Sequence, residues 1–313
     1  MDEQGEGEPA IASIARYEVV PRGPFDLETQ VAHFGGWPRR GDAIVMAFPV
    51  EGWESSAAVS LRQHGSTIRG EIHGAAPADA ERAWQQALAT FSLDVDGQGF
   101  ADVGRRDPVI GRLQAEYRNL RAVLFHSPYE AACAFLIGHR IRIQQTRRLR
   151  QKMAEEAGVG IAVDGSKVFA FPDPRTLLRM KSFPAVAPTK IERLRAAARA
   201  ALDGMLDRQR LRALPEAEAL QQLQTLPGIG EFFAQGILMR GAGLVDAVTD
   251  DDLTARAIQL LYGLRDRPDR AAVLKRAETW RPFRMSAVVL LNVWVRSQPR
   301  EVVGGRRLRG RPS

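Results

Sequence analysis

The chain has 313 residues, a formal net charge of +7, 45% hydrophobic residues and one cysteine. The length suits two or three domains, and the basic balance suits a polyanionic partner. A single cysteine, Cys133 in an apolar run, excludes disulfides within the chain, Cys-ligated zinc and four-cysteine iron–sulfur clusters, and reads as a small buried hydrophobe.

Residues 1–13 are polar and acidic and are expected to be disordered. They carry no secretory leader, which predicts a cytoplasmic protein; no long apolar run predicts a membrane span. Strand character at 17–20, 43–48, 57–61 and 67–72, punctuated by turn signals, predicts a small antiparallel sheet. Helical spacing over 78–91 places Ala83, Trp84, Ala87 and Leu88 on one face. The predicted fold class is α+β: an N-terminal small antiparallel β-sheet domain over 14–110, then an all-α domain over 111–298. A flexible basic tail is expected over 299–313.

From Asp107 onward the pattern reads as helical almost throughout. Pro128 opens a helix through 137, and 138–152 concentrates Arg140, Arg142, Arg147, Arg148, Arg150 and Lys152. That density suits phosphate contacts, or simply a solvated basic face. Further helices are expected at 175–180, 188–206, 214–223, 232–240, 254–264, 271–278 and 285–295. Five histidines without a His-x-x-x-His pair suggest no metal site.

The run that organises the chain is 226–252. It opens Leu226-Pro227-Gly228-Ile229-Gly230, continues through the helix after Gly230, and ends in Asp250, Asp251 and Asp252. Two glycines around one aliphatic residue permit positive φ and leave N–H groups unobstructed, an arrangement that can hold an anion. Gly-x-Gly alone also fits a plain helix–turn–helix corner capped by Asp.

The whole run resembles the helix-hairpin-helix plus Gly/Pro-Asp superfamily of DNA base-excision glycosylases, in particular the 3-methyladenine glycosylase II type. Weaker markers occur in order: Asp107-Pro108, Ser127-Pro128-Tyr129-Glu130, Phe171-Pro172, residues 189–194, and Trp280 with Arg281-Pro282-Phe283-Arg284. The resemblance covers roughly residues 17 to 297 and implies a monofunctional glycosylase for alkylated purines in double-stranded DNA, acting as a nucleoid-associated monomer. It implies no cofactor, with a monovalent cation at the hairpin carbonyls as in relatives.

Residue by residue, the resemblance implies backbone contacts at Gly228, Ile229 and Gly230. It implies a catalytic carboxylate at Asp251 or Asp252. Counting from Phe232 lands on Asp252 and counting back from Tyr262 lands on Asp251. Asp251 is placed first, because a loop loses a residue more readily than a helix. The remaining acids would be N-caps. Candidates for the base pocket are Phe232, Phe233, Tyr129, Trp280 and Trp294; for the wedge that fills the vacated stack, Arg140 and Ile141. Bifunctional relatives carry a Lys where this chain has Phe232, so no amine is available there for a Schiff base. Trp294 is two positions beyond the expected pocket Trp, with Asn292 at the ungapped position, and His139 replaces a usual Gln. Two alternatives stay open: a non-catalytic damage-recognition protein that retains the hairpin, and a glycosylase for deaminated or oxidised bases.

Overall fold

In the computed structural model, which describes residues 13–249 and 251–299, the chain opens with the expected sheet. The disorder expected before residue 13, Asp250 and the basic tail from residue 300 lie outside the described residues. In chain order the elements are β1 (Ala15–Val19), α1 (Leu27–Phe34), β2 (Arg39–Arg40), β3 (Ala43–Pro49), β4 (Ser56–His64), β5 (Thr67–His73), α2 (Ala80–Thr90), α3 (Phe100–Arg106), α4 (Pro108–Glu116) and α5 (Pro128–Gly138). Next come α6 (Ile143–Ala157), β6 (Val159–Val163), β7 (Ser166–Ala170), α7 (Pro174–Arg179), α8 (Pro188–Leu202), α9 (Arg208–Ala213), α10 (Glu216–Gln224) and α11 (Glu231–Ile237). After α11 follow a π-helical turn at Leu238–Ala242, then α12 (Asp252–Leu261), α13 (Arg270–Ala277) and α14 (Arg284–Ser297).

The five strands run in the order β1-β5-β4-β3-β2, antiparallel, with Ile44 opposite Leu61 and Val59 opposite Ile72. Period-2 alternation sends Ile44, Met46, Phe48, Val59, Leu61, Ile68 and Ile72 to one face, where they share a core with Ala83, Trp84, Ala87 and Leu88 of α2. Gly70 sits under Trp84: a Cβ there would lie 2.3 Å from the ring. The helical face predicted from spacing is therefore the buried one.

The other face of the sheet corrects the sequence reading. Residues 159–170, expected within an all-α stretch, form a β-hairpin, β6 paired with β7. Its Ile161, Val163 and Val168 pack against Val45 and Ala58. The signal was present: two five-residue runs that carry Val159, Ile161, Val163, Val168 and Phe169 flank Asp164-Gly165, whose φ angles of 46° and 74° suit a two-residue hairpin turn. A strand pair this short has no stability alone and forms because the sheet's second face must be covered.

The described residues pack as two units, those up to 97 with 121–244, and 98–120 with those from 245 onward. Crossings thus fall at 97/98, 120/121 and 244/245, while the sequence suggested one boundary near 110. In the first unit α5 is the axis. Ser127 caps it, its hydroxyl accepting from Glu130 N, with Pro128 in the first turn. Almost all its side chains are buried, Cys133 included. In the second unit Asp107 joins three helices. Its Oδ1 caps α4, while Oδ2 accepts from Tyr262 Oη at 2.6 Å and Trp280 Nε1 at 2.9 Å. No described helix is long and apolar enough to cross a membrane.

Candidate active site

In the first unit, α10 and α11 flank the Leu226–Gly230 turn. Pro227 and Gly228 occupy the two central positions of a β-turn closed by Ile229 N–H donating to Leu226 O at 3.0 Å. Gly228 has φ 84°, and a Cβ there would meet the Arg193 side chain at 2.7 Å. Proline followed by a positive-φ glycine is the signature of a type II turn. Leu226 and Ile229 are buried and anchor the turn in the core, which leaves Ile229 only its backbone to present. Gly230 differs: its φ is −89°, a Cβ would meet nothing within 4 Å, and it starts α11 without a side-chain cap. Space remains open in front of that backbone.

Phe232 is 55% exposed and Phe233 half-buried on the same helix. They belong to a row of rings that sequence reasoning missed. Phe232 lies 5.9 Å from Phe233, Phe233 lies 5.2 Å from Phe135, and Phe135 lies 6.0 Å from Phe125. His139 meets Phe233 edge-on at 5.8 Å. Arg150 and Arg240 hold the Phe125 ring at 5.1 and 5.4 Å. Burial, then the cations Arg140, Arg193 and Lys190, keep the His139 imidazole below its usual range, which favours a neutral ring.

Tyr129 and Trp280 are corrections. Both are fully buried; Tyr129 donates to Pro172 O and Trp280 to Asp107. Neither ring has a face open to a base. Trp294 is half-buried on α14. The wedge candidates also divide. Arg140 is exposed with φ 60°, in a turn whose preceding carbonyls, Ile137 O and His139 O, both accept from Lys190 Nζ. Ile141 packs against the core; the exposed aliphatic side chain here is Ile143, at 68%.

In the second unit the two candidate acids have different surroundings. Asp251 is the N-cap of α12: Oδ1 accepts from Leu253 N at 2.9 Å and Thr254 N at 3.0 Å. Its Oδ2 accepts from Thr249 Oγ1 at 2.7 Å and Thr254 Oγ1 at 3.3 Å. Four donors fix a half-buried carboxylate. The Asp252 side chain is 94% exposed and pairs with Arg267 at 3.1 Å. Hydroxyls at −2 and +3 from an Asp are a legible capping pattern, so Thr249 and Thr254 were findable. Among the described residues no group of His, Cys, Asp and Glu could hold a metal ion.

No protein-family model matches the chain. A DNA-3-methyladenine glycosylase of Bacillus subtilis is 24% identical over 206 residues, 64% of this chain and 68% of that protein. DNA-3-methyladenine glycosylase 2 of Escherichia coli is 27% identical over 194 residues, 59% of this chain and 63% of that protein. The matched stretches thus span about two thirds of those relatives. Among solved structures, 3-methyladenine DNA glycosylase from Archaeoglobus fulgidus superposes with a TM-score of 0.75 at 18% identity, covering 90% of this chain and 98% of that one. MBOgg1, solved with a low-affinity DNA ligand, gives 0.69 at 19% identity, covering 95% and 99%. These likenesses concern the fold, an N-terminal antiparallel sheet followed by many helices.

Proposed function

We propose that this chain, a relative of the DNA-3-methyladenine glycosylases within the superfamily its motifs resemble, hydrolyses the N-glycosidic bond of alkylated purines in duplex DNA and leaves the strand uncut. The observation that carries the reading is the oriented carboxylate of Asp251, held by two N–H and two hydroxyl donors.

The chemistry asks little of the protein beyond placement. Methylation at N3 or N7 gives a purine positive charge and makes it a good leaving group. As the bond breaks, positive charge develops on the sugar, and a fixed carboxylate stabilises it without reorganising. Asp251 fits this role better than Asp252, whose charge is exposed, screened and paired with Arg267. Four donors already occupy the lone-pair sites of Asp251, so what it offers the reaction is its fixed negative charge.

Grip on the strand is assigned to the backbone at Gly228, Ile229 and Gly230. A phosphate held by main-chain N–H groups is read without regard to sequence. The base must leave the stack, at a cost of a few kcal/mol; exposed Arg140 or Ile143 would fill the gap. Phe232 and Phe233 offer ring faces on which a cationic base gains about 0.5–2 kcal/mol. With Phe232 where a lyase needs an amine, no Schiff base forms, and the product is an intact abasic site.

The test is release of methylated purines from alkylated duplex DNA, scored as abasic sites without strand cleavage. Activity by wild type, lost in Asp251→Asn and kept in Asp252→Asn, supports the reading. Salt-sensitive DNA binding with no base release from any lesion would make the protein a damage-recognition module instead.

A further inference from the structure

Asn292 stands where the resemblance would put a base-contacting aromatic. Its surroundings give it other work. Nδ2 donates to Thr254 Oγ1 at 3.2 Å, and Thr254, fully buried, donates onward to Asp251 Oδ2 at 3.3 Å. The three residues come from α14, α12 and the cap of α12, within one unit.

Direction in this chain follows from proton counting. An ionised carboxylate only accepts, so the single hydroxyl proton of Thr254 goes to Asp251. The lone pair of Thr254 then needs a donor, and the amide of Asn292 supplies one. Asn292 Oδ1 is buried and has no partner. No second bond therefore competes for the amide; its contact with Thr254 is what it is there to make. An unsatisfied buried acceptor costs free energy, which a purely structural role at this position does not explain.

We propose that Asn292 and Thr254 are positioning residues for Asp251, a two-link relay that locks Oδ2 and ties the acid to α14. The inference rests on the glycosylase reading and deepens it. It also reassigns position 292 from base recognition to placement of the acid.

The experiment measures single-turnover release of methylated purine from duplex DNA, affinity for a duplex containing an abasic site, and thermal melting. The variants are Thr254→Val, Thr254→Ser, Asn292→Leu, Asn292→Asp and the Val/Leu double. Loss of one hydrogen bond to a charged group corresponds to about tenfold in rate. Thr254→Val, Asn292→Leu and Asn292→Asp should each lose about that much with DNA affinity unchanged, because the relay acts on the acid and not on the strand. Thr254→Ser, which keeps the hydroxyl, should stay near wild type, and the double variant should be no slower than the slower single.

Asn292→Asp matters if the leucine variant does not fold: it keeps the shape but turns a donor into an acceptor. The proposal is overturned if Asn292→Asp excises at the wild-type rate, if Thr254→Ser is as slow as Thr254→Val, or if the losses lie wholly in DNA affinity. A wild type inert on methylated DNA sinks the glycosylase reading and the relay together. An active wild type with unaffected variants sinks the relay alone.

Discussion

A Cβ on Gly236 would lie 2.4 Å from the ring of Phe135. Glycine on this turn of α11 is thus the condition for Phe135 to reach the row formed with Phe125 and Phe233. Gly236→Ala must push the ring out. Overpacking a close contact costs about 1–3 kcal/mol, so the variant should melt several degrees lower. Gly236→Ala combined with Phe135→Ala should recover part of that loss. Equal melting of wild type and Gly236→Ala would show that the ring moves without cost.

The two hairpin glycines should respond differently to alanine. At Gly228 the φ of 84° and the Arg193 side chain both oppose a Cβ, so Gly228→Ala should lose about 1–3 kcal/mol of stability. Gly230 has ordinary φ and open space, so Gly230→Ala should unfold like wild type within about 0.5 kcal/mol. If the backbone there meets a phosphate, DNA affinity in Gly230→Ala should nevertheless fall. Unchanged stability together with unchanged affinity would remove Gly230 from the DNA contact.

Asp251 and Asp252 separate on stability as well as activity. Removing an N-cap typically costs about 1 kcal/mol, so Asp251→Ala should be destabilised by about that much. Asp251→Asn keeps an oxygen acceptor and should lie near wild type in melting while losing base release by about a hundredfold or more. Asp252→Asn breaks one exposed pair with Arg267 and should change neither. Activity that survives in Asp251→Asn and vanishes in Asp252→Asn would transfer the catalytic role.

Two buried groups give the first unit an opposed pH dependence. Burial, reinforced by Arg150 and Arg208, pushes the His126 imidazole down to about 3. Below its ordinary value, near 6.5, the unfolded chain takes up a proton that the folded chain refuses. Stability therefore falls as pH falls from about 6.5 toward 3, at about 1.4 kcal/mol per unit. Glu130, raised by burial to about 7 despite its pair with Arg150, acts in the other sense. Folded, it keeps a proton that the unfolded chain has released, so stability falls as pH rises from about 4.5 to 7. Between these limits the two offset. His126→Asn should then gain on wild type as pH drops from 7 to 5 in denaturant melts, and Glu130→Gln should lose ground. Parallel curves for His126→Asn and wild type would mean that the folded protein binds the proton after all.

Much of this protein is legible in its sequence, for local reasons. Alternating and 3.6-residue patterns are set by which side chains can share a face, so four of the five sheet strands and the buried stripe of α2 were readable. Leu-Pro-Gly-Ile-Gly was readable because proline and a positive-φ glycine leave the backbone few choices. What only the tertiary structure decided is which residues meet. An aromatic side chain does not announce whether it lines a pocket or fills a core: Tyr129 and Trp280 went inside because hydrogen-bond partners waited at Pro172 and Asp107. Phe125 and Phe135 joined Phe233 because Gly236 left room. The hairpin at 159–170 needed the back of a sheet laid down about a hundred residues earlier. Three adjacent aspartates have one chemistry in sequence. Where α12 begins made one of them a held carboxylate, while its neighbour Asp252 stayed a solvated charge, because helix N–H groups and two threonine hydroxyls converge at a single position.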